Sequence, residues 1–391
     1  MKTTPLFFMA ALSVTQAHAY NLPQHPTRSY KCEDCTKLSH DRLKTNWSIA
    51  EMPLDRQLNT NHKSYSYNQR VTAEELRHGV ALSTRAPGAV VRITPLERRS
   101  MPELELKTPQ NQLMALKDAS NLYAQDETLR DAFMGADHQT MMQLKPELGF
   151  GTFIIKSKSS MTNEAPAYLI NVFDKFSLIY LQVEPETMQY KYGDHFAATI
   201  TLKDSDNSYS VDEVNAHLIN TDDQTVPLKL TEIKRNKFLA STELLSELNA
   251  HGDNWYIEAE VLSERDDGFV RRSARTAFSY SIPSASLISI KKVSSHPLTF
   301  AATLDVAATS RYALQSVLFH KKATGEVVPI ETSQSAQWLD TGKQTIQFNF
   351  DNSNQIAEDA LFVGYLHLTD YGQLKTVYQH NQPIKLSQLM D

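Results

Sequence analysis

Apolar and polar residues alternate with a period of two along much of the second half of the chain. Phe196, Ala198, Ile200 and Leu202 alternate with Ala197, Thr199 and Thr201, which sends the larger apolar side chains to one face of a strand. The pattern returns over 214–218, 226–230, 255–261 and 278–282. Turn-forming clusters separate these runs at Asp204-Ser-Asp-Asn207, Thr221-Asp-Asp223 and Asp266-Asp-Gly268. Short strands at this spacing predict an antiparallel sandwich over 184–284. Residues 241–249 read as a single short helix joining two strands, stopped near Gly252. Trp255 is in phase with Ile257, Ala259 and Val261, so it belongs to the core of this sandwich and not to a sugar-stacking platform.

Region 285–391 repeats the logic. Leu298, Phe300, Ala302, Leu304 and Val306 alternate, and strands follow over 312–319, 345–350 and 361–368. Pro283 and Ser284-Ala-Ser286 mark the boundary before it, where small residues predict a protease-sensitive link. In region 62–183, Thr72-Ala-Glu-Glu75 is a capping box with Gly79 as the stop, so a short helix lies between them. Strands are predicted over 80–82 and 89–93, on either side of Ala86-Pro87-Gly88. Others follow over 104–106, 113–116, 150–155 and 168–173. Asp126 caps a helix over 127–134. The fold class is mainly β: a β-rich N-terminal domain with short helices, followed by two immunoglobulin-like β-sandwiches.

The first nineteen residues form a cleavable signal peptide. Lys2 precedes a nine-residue apolar run over 6–14, and Ala17-His18-Ala19 presents small residues to a signal peptidase. Cleavage between Ala19 and Tyr20 leaves 391 − 19 = 372 residues and sends the protein to the periplasm or the medium. Residues 20–61, poor in apolar side chains, form an N-terminal arm that is either mobile or laid across a neighbouring domain. No later apolar run reaches the length of a transmembrane segment.

Charge narrows the partners. Residues 20–182 carry 20 Lys/Arg against 18 Asp/Glu, residues 183–286 carry 10 against 18, and residues 287–391 carry 8 against 9. No segment has the basic face that nucleic acid requires. The thirteen histidines are scattered, and no nucleophile elbow, zinc-protease helix, phosphate loop or dinucleotide fingerprint is present.

The two cysteines, Cys32 and Cys35, are expected to form a disulfide after export. A redox couple would need a thioredoxin-like context, and Glu33 and Asp34 between the sulfurs work against a reactive thiolate. A zinc site would need two more ligands, with His25 or His40 nearby. Asp204, Asp206 and Ser208 begin like a calcium loop, but Tyr209 replaces the required glycine and Asn215 the bidentate glutamate. This loop is the best ion candidate, with calcium as the ion, and a plain hairpin loop accounts for the same residues. Glu103, Glu105, Asp174, Asp253 and Glu258 are carboxylates available to a glycoside hydrolase, and no spacing ranks them. Trp47 and Trp338 are the remaining aromatic platforms.

Two stretches carry a resemblance. Val80-Ala-Leu-Ser-Thr-Arg-Ala-Pro-Gly-Ala-Val-Val-Arg-Ile-Thr-Pro95 resembles a segment of domain-of-unknown-function family 4785, exported proteins of Legionella-like and other gammaproteobacteria. Ser335-Ala-Gln-Trp-Leu-Asp-Thr-Gly342 resembles that family's C-terminal immunoglobulin-like domain. With the middle third, the resemblance covers most of the mature chain. It implies export, with the type II route among the options, and a three-domain β architecture; it carries over no catalytic residue. The leading expectation is a secreted or periplasmic non-catalytic binding protein, its partner a protein or glycan at the cell surface or host interface. The alternative is an extracellular hydrolase with a carboxylate site in the N-terminal domain. A scaffold using exposed sheet edges is a third reading. The sequence sets no oligomeric state.

Overall fold

The alternation is realised as antiparallel sheets, and strand at 60% against helix at 6% makes the chain mainly β. The computed structural model describes residues 19–32, 35–52, 54, 62–96, 101–125, 139–158, 166–205, 208–247, 252–265, 268–353 and 355–389. The expected signal peptide up to residue 18, the helix expected over 127–134, and Asp206 lie outside the described residues. Two units are present. One holds Asn59–Leu244 and Asn254–Ser279, the other Met1–Leu58, Leu245–Asp253 and Tyr280–Asp391.

The first unit begins with two facing sheets. Ser66–Thr72, Pro166–Phe173, Val90–Pro95, Thr140–Leu144 and Ser120–Gln125 form one, in that order. Val80–Thr84, Gly151–Ser157, Leu104–Lys107 and Leu113–Ala115 form the other. Tyr67, Val91, Ile93, Tyr168 and Ile170 meet Leu82, Leu106, Phe153 and Ile155 in one buried cluster, the inward halves of alternating strands. The predicted capping box is formed: Glu75 N–H donates to Thr72 Oγ1 at 3.0 Å and Thr72 N–H to Glu75 Oε2 at 2.7 Å, opening the helix Ala73–His78.

The same unit contains the middle sandwich. Its sheets run Lys229–Lys234, Lys237–Glu243, His195–Lys203, Tyr180–Pro185, Lys63–Ser64, and Gln189–Lys191, Gly268–Ser281, Trp255–Arg265, Glu213–Ile219, Thr225–Pro227. Tyr190, Phe196 and Phe278 form a ring cluster with centroids 4.9 to 5.4 Å apart. Trp255, 1% exposed, joins it through Phe278. The helix expected over 241–249 is a correction. Residues 241–243 complete the strand Lys237–Glu243, pairing Ser241, Thr242 and Glu243 with Ala197, Phe196 and His195. The nine-residue partner strand offers a ladder to its own end, and that pairing outweighs local helix signals.

In the second unit a six-stranded sheet orders Leu43–Ser48, Val327–Leu339, Ser310–Lys321, Leu361–Asp370 and Lys375–His380, with Ile384–Lys385 also on Leu361–Asp370. A four-stranded sheet orders Tyr20–Asn21, Ala285–Ser295, Leu298–Val306 and Gly342–Phe350. Phe300, Phe348 and Phe350 from the smaller sheet pack with Tyr312, Leu314, Leu366 and Leu368 from the larger. Of the two fates open to the N-terminal arm, its described residues take the second. They give one edge strand to each sheet, Leu22 enters the core, and Tyr378 Oη donates to the Pro23 carbonyl at 2.8 Å. The protease-sensitive link expected at 284–286 is corrected: Ser284 and Ser286 are buried, and Ala285 already opens a strand.

Candidate functional site

The strand Leu361–Asp370 carries a bulge. Gln315 pairs with His367 and Val317 with Gly364, so Tyr365 and Leu366 both lie opposite Ser316. Leu366 points into the core, while Tyr365 adopts a left-handed backbone with φ of 52°, a conformation that bulky residues rarely hold. A Cβ on Gly364 would lie 2.8 Å from Pro383 Cα, so only glycine lets residues 382–383 cross the strand here. The Tyr365 ring stacks on His367 with centroids 3.9 Å apart, and His367 Nε2–H donates to Asn381 Oδ1 at 2.7 Å.

Beside this bulge lies a half-open cleft of about 220 Å³ lined by Glu51, Met52, Phe319, Val327, Tyr365 and Asn381, among others. Glu51 accepts from Lys322 Nζ at 2.5 Å, and Glu326 is 3.8 Å from the same ammonium. The hydrogen bond to Glu51 is the main influence holding Lys322 above the ordinary lysine value. The cleft thus joins an aromatic face, apolar side chains, the two carboxylates of Glu51 and Glu326, and a carboxamide. Such a mixture fixes a ligand by stacking and orients it by hydrogen bonds.

A buried polar node lies elsewhere in the same unit. Asp370, fully buried, accepts from Ser284 Oγ and Ser310 Oγ, each at 2.6 Å, from Gly372 N–H at 2.8 Å and from Gln373 Nε2 at 3.1 Å. Gln373 also exchanges two 2.9 Å hydrogen bonds with the Ile282 backbone. Burial, then the Asp370 charge, push the Tyr30 and Tyr312 phenols well above the ordinary tyrosine value. The Cys32–Cys35 disulfide, the sequence's first expectation for these residues, packs against this node. Ser310 Oγ lies 3.5 Å and Tyr30 Oη 3.8 Å from Cys35 Sγ. A Cβ on Gly372 would stand 2.6 Å from Cys35 Sγ and collide with Tyr30 Oη.

The other sequence candidates are dispersed. Asp204 Oδ2 accepts from the Ser208 N–H, the Ser208 hydroxyl and the Tyr209 N–H at 2.7, 3.1 and 2.9 Å, which caps the loop. Among the described residues, no three His, Cys, Asp or Glu side chains converge as a metal site would need. Glu103 and Glu105 are brought together, each on Lys158 at 2.7 and 3.2 Å, and Glu103 lines a cleft of about 310 Å³. Asp174 is buried against Arg272, Glu258 sits beside Arg275 and His217, and Asp253 gives its carbonyl to Lys375 Nζ. Trp47 is exposed on its edge strand, and Trp338 stacks on His40 at 4.0 Å. Tyr365 and Asp370 were missed. The one sequence signal for Tyr365 is a glycine inside an otherwise regular strand pattern.

Fold and cleft together define a multidomain β-sandwich protein. Three family profiles match in succession: the Domain of unknown function (DUF4785) N-terminal domain over residues 34–174, its central domain over 177–281 and its C-terminal domain over 284–387. The chain belongs to this family, as the two motifs implied, and has its three-domain architecture. It is similar to a crystal structure of a DUF4785 family protein from Legionella pneumophila subsp. pneumophila str. Philadelphia 1. The two are 52% identical, the match covers 94% of this chain and 99% of that one, and the TM-score is 0.83. Escherichia coli alpha-2-macroglobulin in its native conformation matches at 11% identity over 76% of this chain and 20% of that one, with a TM-score of 0.28. A tetra-tandem repeat from the extending region of a large adhesion protein matches at 14% identity over 83% and 75%, with a TM-score of 0.21. Scores this low say nothing about the whole chain. No curated protein matches.

Proposed function

We propose that the chain is an exported, non-catalytic binding protein that receives part of a protein or glycan partner in the cleft beside Tyr365. The observation that carries this reading is the left-handed backbone of Tyr365 at the cleft. Holding a bulky residue there costs roughly 1–3 kcal/mol, and such strain concentrates where a side chain must be aimed at a ligand. Size refines the reading. Pockets that enclose drug-sized ligands run to ~300–1,000 Å³, so a space of about 220 Å³ accepts one sugar ring or one side chain of a longer polymer. A signal-peptide pattern at the start of the sequence supports the export part of the proposal.

The test is a pair of arrays, one of bacterial and host oligosaccharides and one of short peptides, probed with the mature protein and with Tyr365→Ala. The parent is expected to bind members of one class, and Tyr365→Ala to lose about tenfold or more of that affinity, in line with one lost stacking contact. The melting temperature of the variant should stay near the parental value, since Tyr365 is only half-buried and alanine keeps the Cβ that makes the left-handed backbone costly. Equal binding by both proteins would remove the cleft from the function.

A further inference from the structure

We propose that the cleft beside Tyr365 is one end of a longer track, and that this track binds a neutral, hydroxyl-rich polysaccharide laid across the outer face of the six-stranded sheet. This rests on the cleft as the binding site and names the chemistry of its partner.

Strand register places the track. Trp47 pairs with Thr332, Thr332 with Val317, and Val317 with Gly364, next to Tyr365. In the adjoining row, Thr45 pairs with Gln334, Gln334 with Gln315, Gln315 with His367, and His367 with Gln379. Residues paired across a sheet leave the same face. Phe319, two positions along from Val317 and so on that face too, lines the cleft. Cleft and rows are therefore continuous. Three strand spacings, roughly 14 Å at ~4.8 Å each, separate the strand of Trp47 from that of Tyr365. That span suits a chain of several rings better than a single one. The far side of the rows is closed: His40 stacks on Trp338, and Arg311 donates to the Ser39 and Asp41 carbonyls at 2.6 Å each.

The side chains select the occupant. Neither row contains Asp, Glu, Lys or Arg, so an ionic polymer finds no complementary charge there. Gln379 is exposed, and Gln315 and Gln334 are half-buried. Among the described residues, no hydrogen bond holds their three carboxamides. A carboxamide both donates and accepts, as a sugar hydroxyl does. Trp47 is 42% exposed, and its ring offers a flat apolar surface to the C–H side of a sugar. A peptide is the poorer fit. Strand addition needs an unpaired edge, whereas Val327–Leu339, Ser310–Lys321 and Leu361–Asp370 are each paired on both sides.

Affinity electrophoresis of the full chain in native gels tests this. Hydroxyethylcellulose, laminarin, galactomannan and dextran are the neutral probes, and alginate is the charged one. At least one neutral polymer is expected to retard the protein, and alginate is not. Calorimetric titration with oligosaccharides of the retarding polymer should show affinity rising about tenfold or more with chain length. Trp47→Ala should lose about tenfold or more of the affinity for the longest oligosaccharide and flatten the length series, and Trp47→Phe should restore most of it. Phe150→Ala, at an exposed position of the first unit, should bind as the parent does. Retardation by alginate alone, retardation by no polymer, or a length series untouched in Trp47→Ala would each overturn the proposal. Peptide capture that Tyr365→Ala abolishes, with no polysaccharide retarding the protein, sinks the track and leaves the cleft standing. Parental binding of the polymer by Tyr365→Ala sinks both.

Discussion

Arg272→Ala is expected to destabilise the unit that holds it by about 3–5 kcal/mol, the loss seen when one partner of a buried ion pair is removed. Arg272 and Asp174 both have fully buried side chains and meet at 2.6 Å. The guanidinium also donates to the Ile179 carbonyl at 3.0 Å and to Ser177 Oγ at 2.9 Å, while Asp174 accepts from the Arg85 and Ala86 amides at 2.8 and 3.2 Å. Burial pulls Arg272 below the ordinary arginine value, and the Asp174 charge resists that shift. Truncating Arg272 therefore leaves the Asp174 carboxylate in a dry site without its ion-pair partner. For a unit of this size the transition should fall by roughly 6–20 °C, readable by calorimetry. Arg272→Met combined with Asp174→Leu should recover part of the loss, since an apolar pair removes the stranded charge. Recovery stays partial because the Arg85 and Ala86 amides lose their acceptor. A double variant less stable than Arg272→Ala would show that the pair itself, and not the stranded carboxylate, sets the loss.

Trp255→Ala is the second large effect, again about 3–5 kcal/mol. Trp255, Ile257, Ala259 and Val261 leave the same face of the strand Trp255–Arg265, and all four are buried. The indole adjoins Phe278 at a centroid distance of 6.2 Å, and Phe278 in turn contacts Tyr190 and Phe196. Removing it opens a void in an aromatic cluster whose other rings come from three separate strands, so collapse around the gap is limited. Urea unfolding followed by circular dichroism should show a lower midpoint at an unchanged slope. Parental unfolding by this variant would mean that the ring does not support the sandwich.

Where one face of a strand is buried and the other wet, the sequence announces the strand. Residues 196–202 and 298–306 lie within the strands His195–Lys203 and Leu298–Val306 for that reason. Local signals failed where partners decide. Residues 241–243 pair with a long neighbouring strand, and no pattern within them reports it. The edge strand Leu43–Ser48 leaves Leu43 and Trp47 exposed, so it is held by its backbone ladder on Val327–Leu339 and carries no hydrophobic stripe. No sequence pattern marks Asp174, Arg272 and Asp370 as buried, because buried charge is rare enough that exposure is the default expectation. Their burial depends on partners up to 98 residues away. The cleft follows from a bulge, and its single trace in the sequence is Gly364.

The central claim is that the cleft beside Tyr365 holds the partner. Hydrogen–deuterium exchange of the protein, with and without the tightest array ligand, tests it most directly. Amides of 361–370, of 381–382 and of residues 51 and 52 are predicted to gain protection, and those of the first unit to stay unchanged. Protection confined to the first unit, with 361–370 exchanging as in the free protein, would contradict it.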